Sequence, residues 1–177
     1  MSSETKPVEP RDLDENDLEL VRAAREKTFI LYEGKLVGHH SCGIALARTF
    51  NLPTSPYQSL RRGGITGEGE CGAIKAGELI LGEYFGDPQP TGKVTDTLRA
   101  AAQHYRQEWE KRIDRGRVPN IICNSLTGQF AEFHSQERLG FCTNLSAQVA
   151  ELIAETILRF GLTFEVTPIE ELEEKKP

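Results

Sequence analysis

Four cysteines are the residues of this 177-residue sequence with the most distinctive chemistry: Cys42, Cys71, Cys123 and Cys142. They form no CxxC or CxxCH motif, so their spacing predicts no zinc ribbon, thioredoxin-type site or c-type haem site. Thiolates are nucleophiles and soft metal ligands, and four of them match the ligand number of structural zinc and of common iron–sulfur clusters. On spacing alone, a metal centre, thiol–disulfide chemistry and four inert buried cysteines are all compatible with the sequence.

The charge and hydropathy of the chain disfavour a nucleic-acid-binding protein and a membrane-spanning protein. The net charge is −6, which disfavours a nucleic-acid-binding surface because such a surface normally needs a basic patch. No apolar stretch approaches the roughly 20 residues that span a bilayer. The N-terminal segment is polar and acidic, without the apolar core of a secretory signal. We therefore expect a cytoplasmic protein, a compartment in which structural disulfides are rare.

Apolar residues recur at helical spacing through most of the chain, and no alternating strand pattern interrupts them. The pattern predicts an all-α, single-domain bundle of about five to six helices with short connections. We assign the bundle to residues 13–162, a flexible arm to residues 1–12 and an acidic tail to residues 163–177. The predicted helices cover residues 14 or 16 to 34, 38–51, 71–85, 91–115, 119–126 and 143–160.

These boundaries place two of the cysteines, Cys71 and Cys142, near helix N-termini, where the helix dipole lowers the pKa of a thiol. A loop with glycines at positions 63, 64, 67 and 69 runs directly into Cys71. Such a loop can take backbone conformations closed to other residues and can approach a neighbouring group closely. The loop is therefore expected to pass close to the cysteine centre.

The histidines are weaker candidates. His39 precedes Cys42 by three residues, so the two share a face of a predicted helix, and His39 is a candidate auxiliary ligand. His104 falls within a predicted helix and His134 within a predicted loop. We expect both to be solvated and assign neither a function.

The residues around Cys71 carry a more specific motif, CGAIKA at 71–76, preceded by RGGITGEGE and followed by GELILGEYFG. The other cysteines lie in HHSCGIALARTF, NIICNSLTG and GFCTNLSAQVAELI. Together these segments resemble the C_GCAxxG_C_C family of redox-active proteins, which has four cysteines and a CGAxxG motif. The resemblance spans roughly residues 36–160 and includes all four cysteines. Ala76 stands where the family has its closing glycine, and the segment between Cys71 and Cys123 is longer than is usual in the family.

The resemblance implies a redox function in which the four cysteines are the ligands of a metal centre. A related domain of split-Soret cytochromes is associated with an iron–sulfur cluster, which favours a cluster used in electron transfer over zinc. In this interpretation the residues that shape the pocket are Gly69, Gly72, Ala73 and Ala76. The alternatives are a metal-free thiol–disulfide protein and a structural zinc-binding interaction module. We expect a redox protein as partner. Dimerisation is left open because no sequence feature decides it. Enzymatic activity is left open because no residue pattern identifies a small-molecule substrate.

Overall fold

A computed structural model describes residues 7–175, so the first half of the predicted arm and the last two residues of the predicted tail lie outside the described residues. Over this range the chain folds as a helical bundle without β-strands, as predicted. Its elements are α1 (Glu15–Glu33), α2 (Cys42–Thr49), a 3-10 helix (Ser55–Leu60), α3 (Gly72–Phe85), α4 (Asp96–Arg112), α5 (Cys123–Thr127), α6 (Gln136–Arg159) and α7 (Glu170–Glu173). No helix between residues 7 and 175 is long and apolar enough to cross a membrane.

The longest helix, α6, lies at the centre of the bundle and packs against α1, α2, α3 and α4. Its buried apolar residues repeat at intervals of three and four, as a helix surrounded by other helices requires. The larger ones include Leu145, Val149, Leu152, Ile153 and Ile157. Helix α6 therefore forms the axis around which the other elements are positioned.

The two ends of α1 follow from local capping. The Asp14 carboxylate accepts the backbone N–H of Asp17 at 2.9 Å, and the Asp17 carboxylate accepts the backbone N–H of Asp14 at 2.9 Å, which forms a capping box. Gly34 ends the helix with a φ of +74°, a left-handed conformation that glycine adopts without strain. The predicted start and end of this helix are confirmed.

The predicted start of α6 is wrong by seven residues. Ser135, rather than Thr143 or Asn144, caps the helix, because its hydroxyl accepts the backbone N–H of Arg138 at 3.1 Å. The Thr143 hydroxyl instead donates to the carbonyl of Leu139 at 2.7 Å, inside the helix. The prediction failed because Thr143 and Asn144 are of the same capping type as Ser135, and Leu139 and Cys142 in the first two turns are only partly buried.

The C-terminal segment packs along the bundle. Phe164 is buried and contacts Phe50 edge to face, with the ring centroids 5.1 Å apart. In α7, the Glu171 carboxylate accepts two hydrogen bonds from the Arg48 guanidinium, at 2.9 and 2.6 Å. The predicted acidic tail thus packs, over its described part, against Arg48 of α2 and against Phe50, which follows α2.

Candidate functional site

One cavity of about 440 Å³ is lined by all four cysteines. Each of them is half-buried, and none of them forms a disulfide. They come from four different segments of the chain: the start of α2, the residue before α3, the start of α5 and the second turn of α6. The fold therefore brings together residues that are up to 100 positions apart in the sequence.

The glycine-rich loop positions two of the cysteines. The backbone N–H of Cys71 donates to the carbonyl of Ile121 at 2.6 Å, and that of Cys123 donates to the carbonyl of Gly69 at 2.9 Å. Gly63, with a φ of +58°, lies so close that a Cβ atom there would be 2.4 Å from Cβ of Cys123. A loop of larger residues would therefore push α5 and its cysteine away from α3.

Gly72 allows α3 to approach α2. A Cβ atom at this position would lie 2.3 Å from the Leu60 carbonyl oxygen and 2.7 Å from Sγ of Cys42. Gly72 itself lines the cavity, and Gly69 supports it through the loop. Ala73 and Ala76 are fully buried in the hydrophobic core and are not among the residues that line the cavity.

Three of the four cysteines lie at helix starts. Cys42 is the first residue of α2, Cys71 is the N-cap of α3 and Cys123 is the first residue of α5. Cys142 is the seventh residue of α6, so the predicted position of this cysteine at a helix N-terminus is wrong. The cause is the early start of α6 at Gln136.

The predicted lowering of the thiol pKa at Cys71 and Cys142 is wrong. Burial raises the pKa of Cys42 to about 12 and also raises the pKa values of Cys71, Cys123 and Cys142. Backbone N–H groups at the start of α3 hydrogen-bond to the Cys71 thiol and lower its pKa, but removal from water has the larger effect. Without a bound metal, all four cysteines are therefore neutral thiols near pH 7.

Two arginines beside the thiols were not identified from the sequence. The guanidinium carbons of Arg62 and Arg138 lie 4.7 and 4.3 Å from the centroid of the Phe133 ring. Arg138 also donates to the carbonyl of Phe133 at 2.5 Å and to the hydroxyl of Tyr32 at 3.3 Å. The positive charges of both arginines oppose the burial effect on the pKa of Cys123. They lie 76 positions apart, and no local pattern predicts that they meet.

Three of the four histidines have different surroundings. His39 is exposed at the edge of the cavity, where its Nδ1 contacts the carbonyl oxygen of Tyr32. His134 is also exposed and lines the same cavity. The expectation that His104 is solvated is wrong: its Nε2 is buried without a hydrogen-bond partner, and its ring contacts Phe160. Burial lowers the pKa of His104.

Within the described part of the chain, no three or more His, Cys, Asp or Glu side chains form a group that could hold a metal ion. The four thiols thus share one cavity without the convergence of a single-ion site. The metal role of the cysteines, and the auxiliary role of His39, remain predictions.

Comparisons with curated proteins and with solved structures give no match. Residues 41–156 match a family model described as "Putative redox-active protein (C_GCAxxG_C_C)". The matched range covers more than half of the chain and contains all four cysteines. The chain therefore belongs to the C_GCAxxG_C_C family.

Proposed function

We propose that this protein binds an iron–sulfur cluster through Cys42, Cys71, Cys123 and Cys142 and uses it in electron transfer. The observation that carries the proposal is the position of all four thiols on the wall of one cavity. Thiolates are the usual protein ligands of iron–sulfur clusters, and four is the ligand number of the common types. The family description supports a redox function for this set of residues.

The geometry favours a cluster over a single zinc ion. Four thiolates that bind one zinc must converge on it at about 2.3 Å each. All four cysteines line one cavity, so a larger centre with several metal atoms could also be bound there. A cluster distributes its ligands over several iron atoms, so the sulfur atoms of the cysteines lie farther apart. The cavity volume of about 440 Å³ is also more than one ion would need.

The surroundings of the thiols suit a negatively charged centre. When bound, an iron–sulfur cluster supplies an acceptor and donor of single electrons. Backbone N–H groups of Ala73 and Ile74 hydrogen-bond to the sulfur of Cys71, and hydrogen bonds to ligand sulfurs tune the potential of such centres. Arg62 and Arg138 add positive charge on the side of Cys123. Apolar walls from Leu126, Phe141 and Leu145 limit access of water.

The proposal is tested on protein purified without oxygen, by measuring iron, acid-labile sulfide and the visible absorption spectrum. Iron and sulfide in equal amounts and broad visible bands are expected for the native sequence. Cys71→Ser should lose most of the iron, whereas Gly82→Ala should keep it, because no neighbouring atom lies within 4 Å of a Cβ at position 82. Stoichiometric zinc without colour would contradict the proposal in favour of a structural zinc site. Absence of any metal would contradict it in favour of thiol–disulfide chemistry.

A further inference from the structure

The mouth of the cysteine cavity carries unpaired positive charge. Arg61, Arg62 and Arg138 line the cavity, and no ion pair in the part of the chain that the structure describes involves any of them. Glu33 is the one carboxylate among the described residues of the lining, and it pairs with Lys35 at 2.7 Å. A protein with a net charge of −6 thus leaves three guanidinium groups without acidic partners at one opening.

Two of these arginines are held in place before any ligand arrives. Arg62 and Arg138 both contact the ring of Phe133, and Arg138 is fixed further by its bonds to the Phe133 carbonyl and the Tyr32 hydroxyl. A guanidinium presents planar, paired N–H donors that match a carboxylate or a phosphate group. A side chain that is already ordered loses less conformational entropy on binding.

The cavity also has room and apolar surface for a small molecule. Its volume of about 440 Å³ lies within the range of roughly 300–1,000 Å³ that is typical of small-molecule sites; the cysteine centre would occupy the inner part, which leaves the mouth for a small ligand. Phe133, Leu139 and Phe141 provide apolar surface on its wall. Arg61, Arg62 and His134 are exposed at the entrance of the cavity, whereas Arg138 and the four cysteines are half-buried.

We propose that the mouth of the cavity binds a small organic anion, whose carboxylate or phosphate group contacts Arg62 and Arg138 and whose apolar part packs against Phe133 and Phe141. This inference rests on the proposed function and deepens it. It gives the chemical class of the small molecule that reaches the cysteine centre. Binding of the anion itself depends on the arginines and the apolar wall.

The test uses titration calorimetry on the full chain, in both metal-free and iron-loaded forms, with benzoate as the probe. Benzamide, which has the same shape and no charge, is the control ligand. Benzoate is expected to bind saturably to both forms, at least tenfold more tightly than benzamide. Arg138→Gln and Arg62→Gln are each expected to weaken benzoate binding at least tenfold. Arg99→Gln, at an exposed position of α4 away from the cavity, is expected to leave it unchanged.

Circular dichroism shows whether each variant is folded. If Arg138→Gln does not fold, Arg62→Gln decides the result. Arg62 is exposed on a loop, so its replacement should not disturb the fold. Equal binding of benzoate and benzamide, or unchanged binding in the arginine variants, would overturn the inference. Loss of benzoate binding on iron loading would also overturn it and would assign the arginines to charge compensation of the metal centre. Binding of polyglutamate without binding of benzoate would overturn it in favour of an acidic protein surface. Absence of iron would contradict the proposed function only, since the metal-free arm still measures binding of the anion.

Discussion

Replacement of Gly72 by alanine tests whether α3 lies against the 3-10 helix and α2 at the cysteine cavity. The added Cβ would lie 2.3 Å from the backbone carbonyl oxygen of Leu60 and 2.7 Å from Sγ of Cys42. Both distances are too short for non-bonded atoms, and the first involves backbone that cannot rotate away. Overpacking of this kind costs about 1–3 kcal/mol. We therefore expect Gly72→Ala to lower the free energy of unfolding by about that amount.

Gly82→Ala is the matched control on the same helix. No neighbouring atom lies within 4 Å of a Cβ at position 82, and alanine stabilises a helix interior by roughly 0.5–1 kcal/mol relative to glycine. The assay is urea unfolding of both variants, followed by far-ultraviolet circular dichroism with a reductant present. Opposite signs for the two variants are expected. A Gly72→Ala protein as stable as Gly82→Ala would refute the close approach of α3 to these two helices.

Two further predictions concern the ends of the bundle. The Arg11 guanidinium, which hydrogen-bonds to Asp17, holds the pKa of that carboxyl at about 2, below its ordinary value of 3.8. The stabilisation from Asp17 is therefore present above pH 4 and lost as the pH falls through 2. In a plot of melting temperature against pH, Asp17→Asn should flatten the curve between pH 2 and pH 4. Phe164→Ala should lower the free energy of unfolding by roughly 3 kcal/mol in urea, because Phe164 is buried against Phe50. An Asp17→Asn profile equal to that of the native protein, or a neutral Phe164→Ala, would contradict these contacts.

The helices could be predicted where the sequence carries both a periodic core face and local caps. Helix α1 has both, with Asp14 before it and Gly34 after it, and its ends were predicted correctly. Helix α6 shows its periodic core face only from about residue 143, after its first two turns. Leu139 and Cys142 in these turns are only partly buried and pack against the smaller hydrophobic cluster, so their apolar signal is weaker than that of the fully buried face. The predicted lowering of the thiol pKa fails for Cys71 as well as for Cys142, because burial raises the pKa of both thiols whatever their position along the helix.

The family motif singled out the four cysteines as candidate site residues. That they line one cavity could not be predicted, because it depends on the tertiary fold. The glycines of the loop predicted a close approach to a neighbouring group, and the structure shows it at Gly63, which lies against Cys123; Gly72, the first residue of α3, lies equally close to Cys42. The cluster of Arg62, Phe133 and Arg138 has no such signal. It forms only because the loop before α3 and the start of α6 meet at the same opening.

The central claim, that one metal centre binds all four cysteines, is tested most directly by counting protected thiols. Protein isolated without oxygen is treated with iodoacetamide in its native state, beside metal-free protein, and alkyl groups are counted by mass spectrometry. A second sample is denatured with a chelator and no reductant before alkylation. We expect all four thiols to be protected together from iodoacetamide in the native protein and to react faster in the metal-free protein. After denaturation, we expect four alkyl groups per chain. Fewer than four alkyl groups after denaturation, rising by pairs only when a reductant is added, would contradict it and would show disulfides instead.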